Sequence, residues 1–61
     1  MKLKDFLEHL TKYGILHDKV GNTFNCEKGT TKLSFEDECN ECVRISVIED
    51  VCRMFDIPLP Y

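Results

Sequence analysis

Four cysteines are the residues of this 61-residue chain best suited to chemistry, and two of them, Cys39 and Cys42, stand in a Cys-x-x-Cys arrangement. Such a pair can hold part of a structural zinc site or cycle between dithiol and disulfide. A closed zinc site needs four ligands, usually a second pair or two further Cys/His side chains. The remaining thiols are Cys26 and Cys52, with His9 and His17 farther upstream, and that spacing matches no standard zinc module. A zinc mini-domain held by Cys39, Cys42, Cys26 and Cys52 is therefore the alternative reading. The preferred one packs the thiols as small hydrophobes, with no cofactor. Redox cycling is opposed by charge, because Glu36, Asp37, Glu38 and Glu41 surround the pair and disfavour a thiolate.

Nucleophilic catalysis asks for a Cys or Ser with a His in reach and a third orienting group. Nothing in the positions of His9 and His17 supports one. A chain of this length buries roughly 60% of its unfolded surface, which leaves little interior from which to enclose a pocket of ~300 Å³. The chain is read as non-enzymatic.

Charge narrows the partners. Residues 1–35 carry six Lys against four acidic residues, residues 36–61 carry two Arg against seven, and the net charge is −3. No basic patch that would release counterions from phosphates is visible, so direct nucleic-acid binding is not expected. Residues 48–58 have the apolar spacing of the first helix and turn of a helix-turn-helix, but the second helix is missing and the charge sign is wrong. Glu36, Asp37, Glu38, Glu41, Glu49 and Asp50 instead offer a carboxylate surface for a basic, nucleic-acid-handling groove on another protein.

The elements that position these groups follow from periodicity. Leu3, Phe6, Leu7 and Leu10 fall at i, i+3, i+4 and i+7, which predicts an amphipathic helix ending at Gly14, with Ile15 folding back on its stripe. Val20, Thr23–Cys26 and Thr31–Phe35 read as strands, the last two joined as a hairpin at Lys28-Gly29. A hairpin alone is marginal in water and must lean on the helices. Ser34-Phe35-Glu36-Asp37 opens a capping pattern, from which a long helix is expected to run to Phe55; a break near Ser46, with Val43-Arg44-Ile45 as a short strand, is the other reading. Two prolines make the tail Ile57–Tyr61 extended, packed back on the core with Tyr61 capping the helix pair.

A continuous helix over residues 36–55 carries two apolar faces, Phe35, Cys39 and Cys42 on one side and Val47, Ile48, Val51, Cys52 and Phe55 on the other. So small a chain has little with which to cover both, and the Val47, Ile48, Val51, Phe55 face is expected to be an apolar contact or the seam of a homodimer. At 43% hydrophobic and 31% charged residues the composition is that of a folded domain, without a run of ~18 apolar residues to span a bilayer or a signal-like start. The expectation is one α+β domain over residues 1–61, built of an N-terminal helix, a β-hairpin, a long C-terminal helix and an extended Pro-containing tail. It is cytoplasmic, makes no membrane contact, and binds a protein partner by steric occupation, in the manner of a phage-encoded inhibitor of a nucleic-acid-handling or defence protein.

Overall fold

The structure, a computed structural model, describes residues 1–36 and 42–61. Helix α1 (Leu3–Lys12) is followed by β1 (Leu16–Val20), β2 (Thr23–Lys28), β3 (Thr31–Glu36) and helix α2 (Ile45–Phe55). The three strands form one antiparallel sheet in the order β1-β2-β3, and the fold is α+β. No helix among the described residues is long and apolar enough to cross a membrane.

Leu3, Phe6 and Leu10 make the buried stripe of α1, with Leu7 half-buried beside them. The helix ends where the sequence places its stop. Gly14 has φ +75, its N–H donates to the Thr11 carbonyl at 3.0 Å, and the Ile15 N–H donates to the Leu10 carbonyl at 3.0 Å. These are the two bonds of a Schellman cap, and the apolar residue that follows the glycine is buried as that motif requires. Helix α2 closes with the same pair of bonds, Asp56 to Arg53 and Ile57 to Cys52, but with Asp56 rather than glycine in the left-handed position at φ 54. The side chain makes that conformation costlier for Asp than for Gly.

The long helix expected from residue 36 is not formed. Residues 42–44 are extended: Cys42 bridges antiparallel to Lys2, the Val43 N–H donates to the Met1 carbonyl at 2.9 Å, and Arg44 sits at φ −68, ψ 145. The reason is the two-faced pattern itself. Breaking the helix before Ile45 lets Val43 enter the core on its own, so α2 has one apolar face to bury instead of two. This is the alternative break near Ser46, with Arg44 rather than Ser46 at the N-cap.

A third strand, β1, joins the expected hairpin. Two-residue loops, Gly21-Asn22 and Gly29-Thr30, connect the strands and fix the register, with Val20 opposite Thr23 and Lys28 opposite Thr31. Alternation then gives the sheet two faces. Toward the helices point Phe24 and Cys26 of β2, Leu33 and Phe35 of β3, and His17 and Lys19 of β1. Phe24 stacks on Phe35 at 5.2 Å, and Phe6 of α1 meets Phe35 at 6.4 Å. Phe6, Leu10, Ile48 and Val51 complete the core as fully buried side chains, each contributing about 1.5–3 kcal/mol by leaving water.

The tail is extended as expected and is tied to α1 by a hydrogen bond at 2.7 Å between His9 Nε2 and the Pro58 carbonyl. Tyr61, expected to cap the helix pair, is exposed instead. The chain reaches the helix pair with Ile57, which packs half-buried against the core.

Candidate functional site

The apolar face expected to meet a partner lies inside the molecule. Ile48, Val51 and Phe55 are buried in the chain's own core, and Val47 packs half-buried against it. The three buried residues pack in one core cluster with Leu3, Phe6, Leu10, Phe24 and Cys26, so this face is not exposed as a ready-made seam. The acidic residues divide. Glu36 ends β3 exposed, Glu49 and Asp50 lie exposed on α2, and Asp50 is already ion-paired with Arg53 one turn on. Asp37, Glu38 and Glu41 lie outside the described residues. They account for the whole acidic excess, since the other eight acidic residues balance the eight Lys and Arg.

The thiols are spread through the fold. Cys26 on β2 and Cys52 on α2 are buried and Cys42 is exposed, none of the three in a disulfide, while Cys39 lies outside the described residues. No group of three or more Cys, His, Asp and Glu side chains among the described residues is gathered as metal ligands would be. Burial, reinforced by the Asp18 carboxylate, pushes the Cys26 thiol up to about 11, and burial also raises Cys52. Both are held as neutral, unreactive thiols. The histidines are engaged elsewhere. His9 holds the tail and rests edge-on against Tyr13 at 5.0 Å. The Thr11 hydroxyl donates to the Leu7 carbonyl at 3.0 Å, so its oxygen accepts from His17 Nε2–H, also at 3.0 Å.

Of β1 the sequence reading placed only Val20 in a strand and missed the rest. Its alternation is inverted relative to the rest of the sheet: polar His17 and Lys19 face the helices, and Leu16, Asp18 and Val20 face away from them. Leu16 is 72% and Val20 67% exposed, and they flank Asp18 on one face of a strand at the edge of the sheet. Across that outer face the register places Leu16, Glu27 and Lys32 in one row, Asp18, Asn25 and Ser34 in the next, and Val20, Thr23 and Glu36 in the third. On the β2–β3 half of this surface Glu27 stands opposite Lys32 in the register, and the Ser34 hydroxyl donates to Asn25 Oδ1 at 2.7 Å. The apolar side chains are confined to β1.

Two hollows adjoin this strand. One, of about 510 Å³, lies over the outer face between Leu16, Asp18, Asn25, Glu27, Lys32 and Ser34. The other, of about 490 Å³, runs along the flank of α1 beside β1 and is lined by Leu3, Lys4, Leu7, Glu8, Thr11 and His17. Leu7 falls on this flank because the apolar stripe of α1 is wider than the sheet beneath it covers. The signal was present in the sequence as Leu16 and Val20 four residues apart, the spacing of one strand face as well as of one helix face. No family model, curated protein or solved structure matches the chain.

Proposed function

We propose that this chain is a non-catalytic protein-binding module that works by occupying a surface of a partner protein. The observation that supports this reading is the pair of outward apolar side chains on β1, Leu16 and Val20. Single exposed apolar residues are ordinary on a protein surface. Two on the same face of an edge strand, beside an apolar hollow and with polar residues turned inward, fit a strand completed by another molecule. The partner surface suited to the chain's charge is basic, because the chain carries net −3 and Asp18 lies between the two outward apolar residues of β1. A nucleic-acid-handling protein has such a surface.

The test is saturable capture by the immobilised chain, competed by free chain, compared with a Leu16→Lys, Val20→Lys double variant of unchanged circular dichroism. Captured protein that competes off the native chain and is lost from the variant supports the reading. A chain that captures nothing saturably at any ionic strength, or that turns over a substrate, sinks it.

A further inference from the structure

Resting on the protein-binding reading, we infer that the partner is engaged through an extended segment that adds to β1 as a fourth strand, its alternate side chains entering the groove beside α1. Three features converge on this edge. In a hairpin closed by a two-residue loop, the closing pair Val20 and Thr23 bond each other, and so do the pairs two and four residues back along the ladder. The backbone N–H and C=O groups of His17 and Lys19 then point away from β2, the direction in which a fourth strand adds. On the outer face, Leu16 and Val20 present apolar surface to that strand's side chains. On the helix side, the groove lined by Leu3, Leu7, Thr11 and His17 lies where its other side chains fall. From Leu3 to Thr11 an α-helix rises about 12 Å. Alternate residues of a strand are about 6.6 Å apart, so the groove has length for two of them.

The usual guard of an edge strand is a lysine. On β1 that residue is Lys19, and its ammonium lies 5.5 Å from the Phe24 ring, drawn over the helix-side face of the sheet. The other edge, β3, turns Lys32, Ser34 and Glu36 outward and has no apolar pair to complete.

Charge selects the occupant. A second copy of β1, paired antiparallel about its centre, sets Leu16 against Val20 but Asp18 against Asp18, and like charges directly opposite are destabilising. A basic residue at that point reverses the sign. The segment that fits has a Lys or Arg flanked two residues away on either side by apolar side chains, opposite Val20, Asp18 and Leu16 in turn, with apolar residues between them for the groove.

The probe is the peptide Ser-Val-Leu-Arg-Leu-Val-Ser, blocked at both ends and titrated to millimolar concentration into the full ¹⁵N-labelled chain. Its companions carry Glu in place of Arg, or Pro in place of the second Leu. The Arg peptide is expected to shift and slow the exchange of the His17 and Lys19 amides, to bind about 5-fold or more tightly than the Glu peptide, a difference of the size that cross-strand charge pairs supply, and to lose its effect with Pro. In an Asp18→Lys chain the preference inverts; this surface substitution leaves the fold intact, and the preference, not the affinity alone, is the readout. Equal binding of the Arg and Glu peptides, no response at β1, or shifts centred on another surface overturns the proposal. So does a concentration-dependent shift of the β1 amides without peptide, which would make a second copy the occupant. Saturable capture that survives Asp18→Lys while the peptides fail removes the strand docking and leaves the binding reading standing; absence of any capture removes that reading itself.

Discussion

β1 and β3 are the two edges of one sheet, five and six residues long, paired to the same central strand, and they dispose of their side chains in opposite ways. On β3, Thr31, Leu33 and Phe35 face the helices while Lys32, Ser34 and Glu36 face water. On β1, polar His17 and Lys19 face the helices while Leu16 and Val20 face water. The pairing geometry is common to both, so the difference lies in what each strand is placed against. β3 contributes Phe35 to a ring cluster with Phe24 and Phe6, and its register is pinned by burial. β1 is held by its ladder to β2 and by Ile15, which the cap of α1 drives into the core just before the strand begins. Its outward residues are free to serve something other than the fold.

The comparison breaks most readily by truncation. Phe35→Ala removes a half-buried ring from two aromatic contacts, and the loss expected is about 2–4 kcal/mol of stability, near the lower end for phenylalanine deletions. Leu16→Ala removes a side chain that is 72% exposed and should change stability by no more than about 0.5 kcal/mol. Denaturant midpoints of the two variants decide it. Equal losses would make Leu16 a structural residue and erase the distinction between the edges.

The same contrast explains what was legible in the sequence. α1 was readable to its cap, because Leu3, Phe6, Leu7 and Leu10 hold a helical period and Gly14-Ile15 supplies the Schellman residues. β2 and β3 were readable because Phe24, Cys26, Leu33 and Phe35 alternate in phase with the core. β1 was readable only at Val20, since strand reading assumes that apolar side chains point inward, and on this strand only Leu16 and Val20 are apolar and both point out. The excess of apolar positions in the second half was also legible, but its resolution was not. A helix can be interrupted to send Val43 inward by itself, and that choice depends on the Met1 and Lys2 backbone waiting some forty residues away. Long-range partners of this kind leave no local pattern.

Cys26 sits between the two edges, opposite His17 on β1 and Leu33 on β3, and its titration sharpens the comparison. The fold raises its thiol from 9.0 to about 11, burial being the larger cause and the Asp18 carboxylate the smaller. A thiol kept neutral by the fold contributes its full stability below pH 9, and that contribution is lost as pH rises from about 9 toward 11, where the unfolded chain releases the proton first. Stability is therefore expected to fall over this window more steeply than in a Cys26→Ala chain. Iodoacetamide should modify Cys42 rapidly and Cys26 and Cys52 slowly. Leu33→Ala, which opens the β3 side to water, should lower the Cys26 titration more than Asp18→Asn on the β1 side. The reverse order would place the decisive influence on the edge strand that faces solvent.

The smallest effect probes the outer face directly. In its middle row Asn25 stands between Asp18 and Ser34, but the hydrogen bond at 2.7 Å runs only toward Ser34. Because the bond is exposed, Ser34→Ala should cost about 0.5 kcal/mol, the low end for a hydrogen bond. A double-mutant cycle between Ser34 and Asn25 should return a coupling of that order, while the cycle between Asp18 and Asn25 should return a value near zero. A carboxylate with no energetic tie to its neighbour is one whose pairing is left for an incoming strand. Coupling between Asp18 and Asn25 as strong as that on the β3 side would mean that the outer face is already closed within the chain, and β1 would then be an edge that water alone completes.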